Sequence, residues 1–520
     1  MNSRRSFVKT LLYTSGSLYV GSQLLGCKKV DNSELPQHLS KADIQSLERI
    51  SLVRQRVRRA HYYLRDHQSF PEPIVVKELD SVIIGSGYSG ITAAHILRKE
   101  GKSFVLIENE DKPGGAAVNY EWNSIDIPLG SSYFVENSDT IQSMCKEVGI
   151  TPITINGDAL FHNGNYHNDF WTNQTMSALA SSPKELDILK RFKADILAMD
   201  VPTYPVSPTL DKRHSEYDLQ SVESLINAKY PSKLLREYLN LYTLSSMGGE
   251  ISKVNLYSFY NFYQSEMGEE NGYPRYSFKG GTHTLPKLYA KLLGDSFVPN
   301  TIVVRIEQIG KKVHITCIND EEKPIKYIAN SCILSTQKFL AQHLIPSLPQ
   351  VYKDTFSKIE YAPYATIHLC ADEALTTNIA FDTWVLPKSN NFVDIVNPTQ
   401  LNEKKTNNVL SLFNPIPQEL RHNLLSDEFA INLTEKATEY ACQLLKISPE
   451  VLKQVVFFGW GHMLVVPTVG SHTMLTQLSN KPLGSIFFAH TDNDCAPAIE
   501  NAIAHGEYTA EMVLRFLKSL

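Results

Sequence analysis

Uniformly apolar runs alternate with helical periodicity along most of the chain. Val82-Ile83-Ile84 is apolar at every position, as a central parallel strand covered on both faces must be. Ala93, Ala94, Ile96 and Leu97 then recur at helical spacing within 91–99, and Phe104-Val105-Leu106-Ile107 makes a second apolar strand. The pattern predicts a strand–helix–strand unit opening at residue 78. Further strands are predicted over 301–306, 312–317, 332–335 and 485–489, the last followed by a helix running to about 518. Between these segments, 183–199, 222–228 and 232–244 carry helical periodicity, whereas 365–369, 409–413 and 455–459 read as strands. Nearer the N-terminus, Ile44, Leu47, Ile50, Leu52 and Val53 predict a helix over 42–67. Its Arg54, Arg56, Arg58 and Arg59 read as a solvated basic face, and Pro71 and Pro73 close the segment.

The first thirty residues read as an address. Arg4-Arg5-Ser6-Phe7 precedes a Ser- and Gly-bearing apolar stretch, 11–26, too weakly apolar for a spanning helix. The arginine pair resembles a twin-arginine export signal, and Leu24-Leu25-Gly26-Cys27 resembles a lipoprotein box with Cys27 as the lipidated residue. These likenesses imply export by the twin-arginine machinery and a lipid anchor. They place the mature chain on the periplasmic side of a bacterial membrane, the outer membrane being favoured by Lys28.

Three glycines follow the first buried strand. Gly85 permits a tight turn, Gly87 lets backbone approach a pyrophosphate, and Gly90 lets helix sit close to strand. The intervening Ser86, Tyr88 and Ser89 belong to the same loop and helix start, where unpaired N–H groups attract phosphate. Glu108 ends the second strand, at the place where a carboxylate accepts hydrogen bonds from an adenosine ribose. Strand, glycines, helix, strand and acid in register point to FAD or NAD.

The next glycine pair, Gly114-Gly115, resembles the extension found in FAD-binding Rossmann domains. Together with 278–285, 301–335 and the closing 485–507 segment, it is similar to the flavin-containing amine oxidase and phytoene desaturase superfamily, and most to a bacterial amine-oxidase-like branch. Glu360-Tyr361-Ala362-Pro363-Tyr364 and Gly459-Trp460-Gly461-His462 carry that last likeness. The resemblance implies an α/β fold: a discontinuous FAD-binding Rossmann-like domain (78–145, 270–345 and 470–520) and an α+β substrate-binding domain (146–269 and 346–469). Residues 1–26 would be the signal and 27–77 a tether and helix. It also implies FAD contacts at Val304, Asp492 and Ala502, and substrate-side roles for Trp460, His462 and Tyr364. Trp122, Tyr133 and Trp384 are further candidates for the pocket wall. Many family members carry a Lys on a substrate-domain strand. Here that strand reads Tyr364-Ala365-Thr366-Ile367-His368-Leu369, so Thr366 or His368 would have to substitute.

Composition narrows the function without naming it. The 520 residues are 42% hydrophobic and 20% charged with a net charge of −5, so no basic field invites nucleic acid. The seven cysteines show no C-x-x-C or Cys/His spacing, which argues against a structural metal. Cys495 lies near the expected flavin loop, but its surroundings do not match a covalent-attachment motif, so FAD is expected to be held non-covalently. The expected activity is hydride transfer from a small-molecule substrate, an amine ahead of a carotenoid-like or porphyrin-like compound, to flavin. The alternative is a non-catalytic lipoprotein that keeps a flavin fold.

Overall fold

The structure is a computed structural model. It describes residues 49–520 except 56, 67–68, 136–137, 156, 203–204, 206–210, 268–273, 379, 390 and 479–480. The export signal and Cys27 lie outside the described residues.

Two sheets organise the chain. In the first, Ile74–Ile84 lies between Phe104–Ile107 and Pro324–Leu334, parallel to both. Phe297–Val298 extends one edge beyond Phe104–Ile107. On the other side, Lys312–Ile318 and Ile302–Ile309 continue the first half of Pro324–Leu334 as an antiparallel meander, while Ile486–Phe488 pairs parallel with its last residues. Val82 and Ile83 are completely buried, Ile83 in a cluster with the helices of one face (Ile91, Leu97, Ile503) and Val82 in a cluster with the meander (Ile306, Val313, Ile315). The helices Tyr88–Lys99 and Ile499–Lys518 pack against each other so closely that a Cβ at Gly506 would fall 2.4 Å from the Ser89 carbonyl oxygen.

The second sheet has eight strands in the order Ile50–Val53, Leu452–Val465, Tyr361–Ala371, Val409–Pro415, Asp394–Val396, Asp382–Leu386, Asp158–His162 and Asn165–Asn168. Tyr361–Ala371 is buried along its whole length. One face packs on the helix Asp427–Leu445. A cluster rich in tyrosine, built on Pro183–Ala198, Lys233–Met247 and Leu256–Glu266, adjoins the sheet through Trp384 and Leu386. Ser, Thr or Asn side chains cap the N-termini of most of these helices; Ser182 and Asn255, for example, accept from backbone N–H groups in the first turn.

The helix expected over 42–67 is corrected in part: Val57–Ala60 and His61–Arg65 are helical and residues 42–48 lie outside the described residues, but the stretch between differs. Ile50–Val53 is a strand, parallel to Val455–Phe458 at the edge of the second sheet. Ile, Leu and Val suit both periodicities over so few residues, and the ladder offered by a distant strand decides the outcome. The basic face is corrected at Arg54 and Arg59, while Arg56 lies outside the described residues. Arg54 donates to the Leu424 carbonyl at 2.6 Å and pairs with Asp427 at 2.7 Å. Arg59 donates to the carbonyls of Asn300 and Ile318 and pairs with Glu322 at 3.1 Å. These side chains fasten the N-terminal segment to both sheets.

Candidate functional site

The glycine loop forms a cradle at the C-terminal end of Ile74–Ile84. Gly85 has φ +96°, and a Cβ there would meet Thr336 at 2.9 Å. A Cβ at Gly90 would lie 1.9 Å from the Gly85 carbonyl oxygen, so only glycine lets helix and strand meet. Gly87 differs. Its backbone is extended (φ −66°, ψ 178°) and its nearest neighbour for a Cβ is 3.8 Å away. Nothing in the protein itself excludes a side chain at Gly87; the space in front is open. Gly114 and Gly115 face that space, both with positive φ, and Gly114 donates to the Ser86 carbonyl at 3.0 Å.

Side chains around the loop hold it rather than reach outward. Ser86 Oγ donates to Glu108 Oε2 at 2.6 Å, and the same oxygen accepts the Ser86 N–H at 3.0 Å. Glu108 remains half-buried, and a carboxylate has lone pairs beyond those used here. The Tyr88 hydroxyl donates to the Thr282 carbonyl at 2.7 Å. Ser89 Oγ donates to the Ala502 carbonyl at 2.6 Å, so Ala502 serves the helix–helix contact. Val304 sits where the ladder between Ile302–Ile309 and Lys312–Ile318 skips a residue, a β-bulge that takes its backbone out of register. Beside the cradle, the buried Thr336 hydroxyl lacks a protein partner. An open, glycine-walled helix N-terminus with an orphan hydroxyl suits a dinucleotide phosphate.

Asp492 is corrected as a ribityl or phosphate ligand. It is fully buried, Oδ2 accepting the Lys338 N–H at 2.8 Å and the Tyr361 hydroxyl, while Oδ1 lies 2.9 Å from His490 Nδ1. Burial pushes its carboxyl upward, but His490, Lys338 and Tyr361 outweigh it and hold the group below the usual carboxylate range. Lys338, which sequence reasoning missed, is buried beside it, against Phe488, with its amine pushed down to about 8 by burial. Nearby, His505 Nε2 meets Asp494 Oδ2 at 2.8 Å, both groups completely buried. Cys495 is also buried, and burial raises its thiol well above the ordinary value, the opposite of an activated thiolate.

The candidates expected on the substrate side lie on Leu452–Val465 and Tyr361–Ala371. Trp460 donates through Nε1 to the Leu129 carbonyl at 2.8 Å, and its ring would touch a Cβ at Gly130 at 3.2 Å. His462 stacks on Phe339 at 4.3 Å and receives Arg421 Nη1 at 3.3 Å on Nε2. Burial, then Arg421, pushes its imidazole down to about 4, so it is neutral.

Thr366 and His368 are corrected as substitutes for a catalytic lysine. Thr366 donates to the Leu129 carbonyl at 3.0 Å, so it accepts from His368 Nε2 at 3.1 Å; His368 Nδ1 then accepts from Ser411 Oγ at 2.8 Å. Both residues are fully buried, and burial pushes the His368 imidazole down to about 3. Neither offers a free atom to a substrate. Trp122 packs with Ile127, Cys370 and Val409 as core.

Tyr364 leads elsewhere. Its hydroxyl is 3.1 Å from Ser245 Oγ, which donates to Asp394 Oδ2 at 2.9 Å. Asp394 and Asp382, both buried, form an acidic group with the part-buried Asp158, Asp169 and Glu266, collected from five separate segments. Arg275 lies among them, paired with Asp158 and 5.1 Å over the Tyr133 ring. Tyr242 donates to Glu266 Oε2 at 2.9 Å, and Trp171 Nε1 donates to the Tyr263 hydroxyl at 2.8 Å. Burial pushes Glu266 and Asp394 up to about 7; burial, then Asp394 and Asp158, raises Asp382 well above its ordinary value. Sequence reasoning picked out Tyr133, Tyr364 and Trp384 here but none of the acids.

Comparison with known proteins places this geometry. The model of the family described as flavin containing amine oxidoreductase matches residues 88–514. The chain belongs to that family. It is 22% identical over 291 residues to a flavin-containing amine oxidase of Oncorhynchus mykiss, covering 54% of each chain. The chain thus spans about half the length of the curated relatives it matches. Among solved structures, a putrescine oxidase variant superposes with a TM-score of 0.67 at 17% identity, covering 85% of this chain and all of the other. The cyclohexylamine oxidase of Brevibacterium oxydans gives 0.66 at 17% identity with the same coverage. These likenesses establish the fold: a Rossmann-like FAD-binding part with a substrate-binding part. The family's cofactor is FAD. The cradle of Gly85, Gly87, Gly114 and Gly115, with Glu108 and the Val304 bulge, fits it.

Proposed function

We propose that this chain is an FAD-dependent oxidoreductase that oxidises a small amine at the carbon bearing nitrogen. The observation that carries the reading is the open cradle at Gly87 within a chain that belongs to the amine oxidoreductase family across most of its length. When bound, FAD supplies the hydride acceptor. The chain's own part is to position and to exclude water. Trp460, locked by its indole hydrogen bond to Leu129, gives a rigid aromatic wall. His462, neutral and held by Arg421, adds no positive charge of its own. A neutral imidazole backed by the Arg421 guanidinium disfavours an ammonium ion and so favours the uncharged form of an amine, which has the lone pair needed when the C–H bond breaks.

Anaerobic mixing of the yellow protein with a panel of amines tests this. Bleaching of the flavin together with formation of the matching aldehyde or ketone is expected. A protein that carries FAD but bleaches with none of them is a binder, not an amine oxidoreductase.

The address at the N-terminus belongs to the proposal. Twin-arginine export carries folded cargo, and a chain that closes distant segments around FAD has reason to fold before it is moved. Arg4-Arg5 and Cys27 support export followed by lipid attachment on the periplasmic side, at the outer membrane. No described helix is long and apolar enough to cross a membrane.

A further inference from the structure

Rings that can be oxidised are concentrated in the helical cluster beside the second sheet. Trp384 lies 6.1 Å from Tyr242, centroid to centroid, and Tyr242 lies 4.6 Å from Tyr263. Tyr263 accepts the indole hydrogen bond of Trp171 at 2.8 Å, their rings 6.2 Å apart. A second route joins the same two tryptophans through Tyr238, 6.3 Å from Trp384 and 5.9 Å from Trp171. Beyond Trp171, Phe192 stacks at 5.6 Å and meets Tyr230 at 5.1 Å. Ring-to-ring contact is thus unbroken from Trp384 to Tyr230.

Packing alone does not account for this choice of residues. Phenylalanine fills a core as well as tyrosine and leaves no hydroxyl to satisfy. The cavity lined by Trp171, Trp384, Tyr238, Tyr242 and Tyr263 has room for about one water-sized group, so these rings do not wrap an organic substrate. Two of the hydroxyls along the chain of rings donate to carboxylates, Tyr242 to Glu266 Oε2 at 2.9 Å and Tyr230 to Asp195 Oδ2 at 2.6 Å, within reach for proton transfer. A phenol that loses an electron becomes a strong acid, and a carboxylate already bonded to it takes the proton. Trp384 is the opposite case. Its Nε1–H is buried with no partner among the described residues, so its oxidised ring keeps the proton and stays strongly oxidising. At the other end Tyr230 is 3% exposed, but Asp195 stands in solvent. The gradient therefore runs outward.

We infer that this chain of rings carries oxidising equivalents from Trp384 out to Tyr230 and so spares the interior of the protein. The oxidant belongs to the oxygen radicals released when a peroxide bond is cut, the hydroxyl radical being the simplest. It takes one electron from Trp384 and, with one proton from solvent, becomes water. Tyr242 or Tyr238 returns an electron to Trp384, and Trp171 passes the vacancy on. Tyr230 finally gives its electron inward and its hydroxyl proton to Asp195, which releases it to solvent. The sum converts one hydroxyl radical and Tyr230 into water and a Tyr230 phenoxyl radical. A hydrogen atom from a dissolved thiol restores the phenol. The inference stands apart from the amine reading, since it needs the rings and not the substrate.

Pulse radiolysis of the FAD-loaded protein with azide radicals, which oxidise indole ahead of phenol, tests it. The indolyl absorption should decay into the phenoxyl absorption at a rate that does not change with protein concentration. A spin trap added to the same experiment, followed by peptide mapping, should mark Tyr230 ahead of Tyr62 and Tyr166, although these are 52% and 44% exposed. Trp171→Phe cuts both routes while keeping an aromatic ring, and should slow the conversion several-fold. Asp195→Asn changes an exposed side chain; it should leave the flavin absorbance intact and remove most of the Tyr230 adduct. Adducts that follow exposure, with Tyr62 and Tyr166 ahead of Tyr230, overturn the inference. So does conversion at the wild-type rate in Trp171→Phe, or undiminished Tyr230 labelling in Asp195→Asn. If Trp171→Phe does not fold, the labelling of Asp195→Asn decides.

Discussion

Gly87 and Gly90 sit three residues apart in one loop, yet their substitution by alanine should have opposite effects. At Gly90 the new methyl would lie 1.9 Å from the Gly85 carbonyl and 2.7 Å from Ser335 Oγ, atoms that cannot move without separating helix from strand. Overpacking of that kind costs about 1–3 kcal/mol or more whether or not FAD is present. At Gly87 the methyl has 3.8 Å of clearance, and φ −66° with ψ 178° is comfortable for alanine. Losing glycine's freedom in the unfolded chain should therefore stabilise the apoprotein by about 0.4–1 kcal/mol. The same methyl occupies the space expected to receive the pyrophosphate, so FAD affinity should fall roughly 5- to 150-fold, taking about 1–3 kcal/mol as the clash. Apoprotein prepared by acid release of the flavin would be melted in denaturant, then titrated with FAD by fluorescence quenching. Gly87→Ala should melt no earlier than wild type and bind FAD weakly; Gly90→Ala should melt early. If Gly87→Ala binds FAD with wild-type affinity, the cradle is not where the phosphates lie and the cofactor assignment of this loop is wrong.

Trp460→Ala removes a nearly buried ring and its bond to Leu129, and should cost about 3–5 kcal/mol in denaturant midpoint measurements, whereas Trp460→Phe should cost less and keep the colour. His368 and His462 are held neutral with imidazoles pushed down to about 3 and 4, below the ordinary 6.5. The unfolded chain therefore gains protons first as pH falls, and each histidine should withdraw on the order of 2 kcal/mol between pH 7 and 5. Glu266 and Asp394, raised to about 7, act in the opposite sense, losing their contribution as pH rises from about 4 to 7. Comparing the pH dependence of stability in wild type and His368→Gln isolates the histidine's share: a variant with an unchanged slope would contradict its buried neutral state. Replacing Arg4 and Arg5 with Lys should leave a folded yellow precursor in the cytoplasm, and Cys27→Ala should be exported but fail to sediment with membranes; normal export of the double-Lys protein would remove the twin-arginine reading.

The dinucleotide unit was legible because each of its requirements is local. A tight turn, a close helix and a strand-ending acid impose glycine or glutamate within thirty residues, and the apolar runs around them have one period. The strand at Ile50–Val53 was not legible for the converse reason: its partner, Val455–Phe458, lies four hundred residues away, and four apolar residues do not reveal a period. His368 and Thr366 were candidates on chemistry alone. Only the ladder showed that each satisfies the other, with Ser411 and Leu129 completing the set. The acidic pocket was hidden more deeply. Asp158, Asp169, Glu266, Asp382 and Asp394 each stand among ordinary residues, and nothing local distinguishes them from solvated surface acids. Their meaning comes from the second sheet, which sets Asp382 beside Asp158 and Asp394 opposite Trp384.

On the proposed function, a C–H bond next to nitrogen breaks when the flavin is reduced. An amine that bleaches the protein, compared with the same amine carrying deuterium at its α-carbon, tests it directly in an anaerobic stopped-flow instrument. Reduction should be several-fold slower with the deuterated amine, with an unchanged binding step. Equal rates for the two, at saturating amine and with chemistry limiting, would contradict it.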